Sequence, residues 1–444
     1  MTNGELSPPP RRRRAVLLGV ALAVAALAVP AVIVLRSGGE EPAVAAAPTP
    51  SASPSASAFV ARSPEPGDPP EIEMAWAGER ITEQLAVLNT AMHSGDLARF
   101  VSVTQDKGVR GELERRFRSL RAMRVSGFEL RIERGPWVLK TVDGRPDWGV
   151  TIAVDHCFVV PGCDPEKVSI DMTWRETPAG FRMTRISAVQ LTKNTPMPWE
   201  ATTLVAAIGS RAMVAAPAAY ASRARSFLPA AERAAKTADK YVLGPKPDRY
   251  IVYLAGAAEW KKWFGGGNAD WVAGIALPVT TNRSDIVLRI DAVPGGYAEE
   301  IMKHEMGHVA TLAGRDYRLI YDFRWWLSEG VAEYIEWDGR GLGAYDGRSD
   351  VRRFIREKRY AGDLDQLGPG DKTPDWQVSA HYGLGFYATR CIADQYGHAK
   401  LMAFTDAVLR GGRSPADESP TSLGAPWKTV SKKCLAYTKK AVGA

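Results

Sequence analysis

The 444-residue sequence contains little histidine and little cysteine, 6 and 4 residues respectively. No C-x-x-C spacing occurs among the cysteines, which argues against a cysteine-bound metal. The run Gly265-Gly266-Gly267 is not followed by G-K-S/T and opens no helical pattern. It is therefore interpreted as a loop beside a cleft and not as a phosphate-binding loop.

The chain also lacks a long basic run outside its first residues. Its net charge is +7, but residues 1–36 hold five basic residues and only one acidic residue. After residue 36, the excess of basic over acidic residues is too small to indicate a DNA- or RNA-binding surface. No nucleic-acid partner is therefore expected. One dense basic group remains, which is interpreted as a solvated helix face: Arg352, Arg353, Arg356, Lys358 and Arg359.

The first residues predict a membrane anchor. Arg11–Arg14 precede an uncharged run at 15–35, and about 20 apolar residues are needed to cross a bilayer as a helix. The basic segment 1–14 is expected to stay cytoplasmic, with the bulk of the chain extracellular. A cleaved signal peptide is the alternative, because Ala43–Ala47 offers small residues for cleavage.

Residues 36–70 are rich in proline, alanine and serine, with almost no large apolar side chains. Such a segment cannot bury enough surface to fold, and it predicts an extended linker. A wall-threading or glycosylated stalk has the same composition.

The four cysteines agree with an exported location. The simplest of the three possible connectivities pairs Cys157 with Cys163 and Cys391 with Cys434. The second bridge would fix the C-terminal segment to the preceding domain. Free buried thiols are the alternative.

The residues after the linker are too many for one ordinary core, so two domains are predicted, at 71–195 and 200–444. The first begins with an amphipathic helix that breaks at Ser94-Gly95-Asp96 and continues as strands at 148–154 and 168–174, an α+β pattern. It resembles the cone of nuclear transport factor 2-like proteins. His93 and His156 are expected to be structural or exposed.

The second domain is predicted to begin with a long alanine-rich helical region at 201–241, before a strand at 250–254. After further strands, a helix is predicted at 297–312 and another at 325–337. The fold class expected for the whole chain is α+β, with a mainly helical second domain and a small mixed sheet.

The predicted helix at 297–312 carries His304-Glu305-Met306-Gly307-His308. Histidines four residues apart on a helix lie on one face, so both imidazoles can reach one Zn²⁺ while Glu305 lies beside the open coordination position. A zinc ion with three protein ligands lowers the pKa of a water molecule towards neutrality, and a carboxylate can then accept its proton. The pattern therefore indicates hydrolysis of an amide bond.

The next helix supplies the candidate third ligand, Glu329. Its neighbours Trp325, Trp326, Leu327 and Val331 are apolar, which predicts a buried helix. Buried carboxylates bind metals or hydrogen-bond partners, so Glu329 is expected to bind zinc and Glu333, one turn on, to accept a hydrogen bond from a ligand histidine.

These residues resemble the gluzincin metallopeptidases, which include thermolysin and the aminopeptidase N-like enzymes. The shared pattern is H-E-x-x-H followed by a W-L-x-E-G-x-A-x-Y helix, which occurs here as Trp326 to Tyr334. The resemblance implies zinc on His304, His308 and Glu329, with Glu305 as general base. It also implies that Tyr382, in Tyr382-Gly383-Leu384-Gly385, hydrogen-bonds the oxyanion; adjacent His381 could serve instead.

One departure from that resemblance concerns the substrate. The aminopeptidases bind a free amine through a G-x-M-E-N strand, and neither 272–278 nor 285–290 offers it. An extended edge strand could hold a peptide by main-chain pairing instead, which suits an endopeptidase or a protein substrate. The prediction is a membrane-anchored extracellular zinc peptidase; a tethered binding, sensory or wall-associated protein with an inactive peptidase-like domain is the alternative.

Overall fold

The computed structural model describes residues 62–188, 196–266, 272–280, 282–293, 296–315, 324–360, 362–370 and 372–444. The predicted cytoplasmic segment, the anchor and most of the linker lie outside the described residues. Within those ranges, no helix combines the length and the apolar character needed to span a bilayer.

The first region opens with three helices, α1 (Pro70–Ser94), α2 (Leu97–Val101) and α3 (Lys107–Ala122). The break predicted after α1 is present. Gly95 ends α1 in the left-handed conformation with φ of 76°, and the Asp96 side chain accepts a hydrogen bond from the Arg99 N–H at the start of α2. Glycine and aspartate suit these two positions.

A four-stranded antiparallel sheet follows, with strands in sequence order: β1 (Val125–Val142), β2 (Arg145–Phe158), β3 (Glu166–Thr177) and β4 (Gly180–Ala188). Alternate residues of β2, from Trp148 to Val154, join the core that also contains the apolar side of α1. The helix-then-sheet order is the α+β pattern predicted for this region. His93 Nε2 donates a hydrogen bond of 3.0 Å to the Phe128 carbonyl oxygen.

The second sheet has five strands in the order β5-β6-β7-β9-β8. Its members are β5 (Leu204–Ile208), β6 (Ala212–Pro217), β7 (Tyr250–Ala255), β8 (Gly274–Pro278) and β9 (Ser284–Arg289). The central strands β6, β7 and β9 run parallel, whereas β5 and β8 pair antiparallel at the two edges. The short helices α4 (Pro198–Ala201) and α6 (Ala257–Trp260) and the longer α5 (Ala221–Ala238) accompany this sheet.

The predicted helical region at 201–241 is wrong in its first half, where β5 and β6 form. Alternate residues of β6 enter different cores: Ala212, Val214 and Ala216 pack with α5, and Met213 and Ala215 face the other side. This period of two is that of a strand covered on both faces. Tertiary packing overrides the helix propensity of alanine here, because small side chains let α5 lie close to the sheet.

The rest of the chain is helical: α7 (Ala298–Leu312), α8 (Trp325–Glu336), α9 (Arg348–Arg356), α10 (Asp375–Tyr396), α11 (His398–Thr405), α12 (Pro415–Ser422) and α13 (Trp427–Val442). The two helices predicted to carry the metal ligands are thus present to within a residue of the expected bounds. Most of the helices after α7 share one core, which includes Trp326, Phe386 and Phe404.

Both predicted disulfides are present, Cys157–Cys163 and Cys391–Cys434. The second joins α10 to α13. The basic group is solvated as predicted, with all members but Arg352 exposed. Arg352 and Arg356 also donate to the carbonyls of Val442 and Gly443, as Arg348 does to Ala441. These guanidinium groups bind the carbonyl end of α13, where a cation is favoured.

The predicted boundary near residues 195–200 is crossed by a continuous apolar core. Residues of the first region, such as Trp174, and of the second sheet, such as Tyr253 and Val287, belong to the same buried cluster. The two regions therefore pack directly on each other.

Candidate metal centre

The crossing of α8 and α10 fixes the back of the candidate site. A β-carbon on Gly330 of α8 would lie 2.5 Å from the carbonyl oxygen of Gly385 on α10, and one on Gly385 would lie 2.8 Å from the Trp326 carbonyl oxygen. Only glycine at both positions permits this approach. Since Glu329 precedes Gly330 and Tyr382 lies one turn before Gly385, the crossing brings both functional side chains to the same place.

The structure brings the three predicted ligands together. The Nε2 atoms of His304 and His308 are 3.2 Å apart, and Glu329 Oε2 lies 3.2 Å from the first and 3.3 Å from the second. All three side chains are buried. A tetrahedron with zinc–ligand distances of about 2.0–2.1 Å has edges of about 3.3 Å, so the triangle has the dimensions of one face of a zinc site.

The acidic groups around this triangle also favour a cation. Four buried carboxylates surround the two imidazoles: Glu305, Glu329, Glu333 and Glu336. Buried negative charge is stable only when positive charge or hydrogen bonds compensate it.

The pKa values of Glu329 and His304 are strongly shifted. Burial alone would raise the pKa of Glu329, but His308 and His304 outweigh it and lower that pKa to about 2. Burial alone would lower the pKa of His304, and the nearby carboxylates of Glu329, Glu333 and Glu336 raise it well above its usual range. Positive charge is thus favoured at this position.

Glu305 lies on α7, with its side chain against Gly274 of the edge strand β8. Burial raises the pKa of Glu305 to about 7, against the opposing effect of the two histidines. Both carboxylate oxygens are buried without a well-formed hydrogen bond to any described residue. A carboxyl group with a pKa near neutrality can both accept and donate a proton at pH 7.

The predicted support of a ligand histidine by Glu333 has a geometric counterpart. His304 Nδ1 lies 3.4 Å from Glu333 Oε1 and 3.3 Å from Glu336 Oε2. Tyr345 in turn donates a hydrogen bond of 2.9 Å to Glu333 Oε2. Carboxylates on the far ring nitrogen orient the imidazole and direct its other nitrogen to the metal.

Sequence reasoning assigned no role to Glu336 or Tyr345. The spacing of Glu329, Glu333 and Glu336 on α8 was the available signal for Glu336, because positions four and seven residues apart share one helix face. Tyr345 follows α8 in an irregular segment and had no sequence signal.

Tyr382 is buried and lies beside the metal ligands. Its ring centroid is 6.1 Å from that of His304 and 4.9 Å from that of Trp325. Tyr382 lies inside α10, seven residues after the helix begins at Asp375. It therefore projects from the second turn of a long helix.

His381 points elsewhere. Its Nδ1 accepts a hydrogen bond from the Gly368 N–H at 3.2 Å, and its ring contacts Trp325 and Phe354. Burial lowers the pKa of His381 to about 4, so the ring is neutral at pH 7. These contacts suit a packing role and favour Tyr382 over His381 as the oxyanion donor.

No protein-family model matches the chain, and no curated protein matches it. Among solved structures, the fold is similar to an M1 zinc metallopeptidase from Deinococcus radiodurans, at 15% identity and a TM-score of 0.31 over 60% of this chain. The same enzyme bound to a Tyr-Ser-Ala substrate gives 14% identity and a TM-score of 0.31. This chain spans 58% of the length of either structure.

Proposed function

We propose that this protein is a zinc-dependent peptidase. The observation that carries the proposal is the triangle of two imidazole nitrogens and one carboxylate oxygen, with sides of 3.2–3.3 Å, beside the buried carboxyl group of Glu305. Zinc held by His304, His308 and Glu329 would supply Lewis acidity that lowers the pKa of a water molecule and polarises a carbonyl group.

The protein's own groups would carry the proton transfers. Glu305 accepts the proton of the attacking water and later gives it to the leaving amine, which a pKa of about 7 permits in both directions. Tyr382 donates a hydrogen bond to the oxygen of the attacked carbonyl group, where negative charge develops. Glu333 and Glu336 hold the His304 ring in one orientation.

An extended peptide is the substrate that the surrounding strand suits. β8 is an edge of its sheet and has a strand partner on one side only, β9, within the described residues. Such an edge can pair with a substrate main chain without reading its side chains. We place this activity outside the cell, on a chain anchored by residues 15–35; the two disulfides support an oxidising compartment.

One observation favours the alternative of a zinc-holding but inactive binding protein. His304 and Glu305 are fully buried, and substrate must reach them for turnover. The two functions differ in what Glu305 does: an inactive protein would bind zinc and a partner equally well without that carboxylate.

The test measures zinc content and hydrolysis of an unfolded protein by the full chain in detergent. Wild type and Glu305→Gln are both expected to bind one equivalent of zinc, and Glu305→Gln to lose at least about 100-fold in activity. Glu299→Gln is the matched control, since Glu299 lies on the same helix and pairs with Arg233 and Lys303 at the surface. Zinc binding without hydrolysis in wild type would favour the inactive protein, and absence of zinc would refute both.

A further inference from the structure

The edge strand β8 lies against the proposed general base. A β-carbon on Gly274, the first residue of β8, would lie 2.9 Å from Glu305 Oε1 and 2.9 Å from the Leu288 side chain. The strand therefore has no spare room between the carboxylate and its neighbour β9. A small displacement of β8 changes the space between the strand and the metal ligands.

A partly buried arginine, Arg283, links the ends of β8 and β9. Arg283 accepts hydrogen bonds through its carbonyl from the N–H groups of Val279 and Thr280. Its guanidinium group donates to Asp285 through both Nε and Nη2 at 3.1 Å. Asp285 is fully buried. Main-chain and side-chain bonds thus tie Arg283 to the end of β8 and to β9.

The same arginine is held by the first region of the protein. Arg283 Nη2 lies 3.1 Å from Glu166 Oε2 on β3, and the same oxygen lies 3.1 Å from His156 Nε2 on β2. The guanidinium group also lies over the Phe158 ring, with 5.5 Å to its centroid. Asn282 donates a separate hydrogen bond of 3.0 Å to Asp164. The disulfide Cys157–Cys163 lies in the β2–β3 connection between His156 and Glu166.

Ion pairs at such a position fix geometry more than they add stability. Glu166 and His156 are buried, and burial alone would raise the pKa of Glu166; Arg283 and His156 outweigh it and hold that pKa below its usual range. A buried carboxylate that loses its cation is strongly destabilising, so moving Arg283 away from Glu166 would cost free energy. The best-attested role of a buried ion-pair cluster is to fix the relative position of two structural elements.

We propose that Glu166 is a positioning residue for the peptide-binding edge: through Arg283 it fixes the β8–β9 hairpin relative to the metal centre. The first region is therefore a part of the substrate-binding apparatus and not a spacer between linker and enzyme. This inference rests on the proposed peptidase function for its kinetic consequence, but its structural consequence is independent of turnover.

The kinetic test compares Glu166→Gln with Asp147→Asn in the full chain. Asp147 is the matched control because it is buried on β2 and accepts two bonds from Arg175 on β3, in the same sheet but without contact to the hairpin. Glu166→Gln is expected to raise KM for a peptide about tenfold, with kcat within about twofold and zinc affinity unchanged. Asp147→Asn is expected to leave KM unchanged, and Glu166→Asp, which keeps the charge, to fall between.

The second readout is amide hydrogen exchange over residues 272–280, measured by mass spectrometry. Glu166→Gln is expected to accelerate exchange there, whereas Asp147→Asn is not. Equal changes in both variants, or none in Glu166→Gln, would overturn the proposal. If wild type hydrolyses no peptide, the proposed function fails and exchange alone decides the positioning role.

A milder variant covers the case in which Glu166→Gln does not fold. Asn282→Ala removes only the exposed bond to Asp164. Faster exchange over 272–280 in Asn282→Ala supports the proposal that the first region fixes the β8–β9 hairpin. Unchanged exchange overturns it.

Discussion

Gly330 and Gly385 make the contact on which the site's geometry depends: a β-carbon on the first would lie 2.5 Å from the main-chain oxygen of the second. The contact joins the helix of Glu329, the proposed third metal ligand, to the helix of Tyr382. Its two glycines belong to the two patterns quoted from the sequence, W-L-x-E-G and Y-x-x-G, so each pattern includes one half of a single helix crossing.

Gly385→Ala is expected to separate α8 from α10, because the added methyl group meets the main chain of Trp326 and Gly330. Overpacking of this kind lowers the free energy of unfolding by about 1–3 kcal/mol. Urea unfolding measures it, and zinc affinity is expected to fall in parallel. Gly341→Ala is the control, because nothing lies within 4 Å of the added β-carbon. Its free energy of unfolding should differ from that of wild type by less than about 0.5 kcal/mol.

Glu336→Ala is expected to weaken zinc binding about 10- to 100-fold, as is Glu333→Ala. Each variant removes one carboxylate from His304 Nδ1 and leaves the three ligands intact. Competition with a chromophoric chelator measures the change. Glu299→Ala, on the surface of α7, should bind zinc as wild type does; unchanged affinity in Glu336→Ala would remove that residue from the metal centre.

Tyr382→Phe is expected to lower kcat about 100-fold while KM and zinc content stay near wild type, because a lost oxyanion donor acts only on the transition state. Tyr387→Phe provides the control. Tyr387 lies on the same helix and donates a hydrogen bond to the Leu342 carbonyl, away from the metal ligands. A similar kcat loss in both variants would indicate disturbance of α10 and not loss of a donor.

Asp285 gives a pH dependence of stability. Burial raises the pKa of Asp285 from 3.8 to about 7, although Arg283 opposes the shift. Between these two pH values the folded state keeps a proton that the unfolded state releases. The contribution of Asp285 to the free energy of unfolding is therefore largest below pH 4 and is lost as the pH rises to about 7.

The variant Asp285→Asn isolates that contribution. The difference in unfolding free energy between variant and wild type should move in favour of the variant as the pH rises from 4 to 7. Zinc binding varies over the same range, but it contributes equally to both proteins and cancels in the difference. A difference that does not vary with pH would show that Asp285 titrates at its ordinary pKa in the folded state.

The pair His304 and His308 could be predicted from the sequence because its geometry is local. Glu329 was predicted from its apolar helix and from the resemblance to the gluzincins, since its approach to the histidines depends on how α7 and α8 pack. His304 and His308 are neighbours on any helix, and α8 presents Glu329 and Glu333 on one face. Glu166 and Arg283 could not be predicted as partners, because their contact depends on how two sheets pack, and nothing in either segment encodes that distance. The same holds for Tyr345, whose hydrogen bond to Glu333 forms across an irregular segment.

The fold was predictable in class and less so in detail. Apolar periodicity gave α7 and α8 nearly to the residue, whereas alanine-rich β5 and β6 were predicted as helix. Alanine is small enough for either structure, so its position between α5 and the opposite core decides the outcome. The bridge between Cys391 and Cys434 followed from simple proximity of the cysteine pairs along the chain.

The bridge between α10 and α13 has a practical consequence for anyone who produces this protein. Tyr382 and Cys391 lie on the same helix, so the helix that carries the proposed oxyanion donor is stapled to the last one only where thiols are oxidised. Material expressed in a reducing cytosol should lack the staple and melt at a lower temperature than secreted material of identical sequence. The specific activity of a preparation would then depend on whether this disulfide formed during expression, as well as on purity.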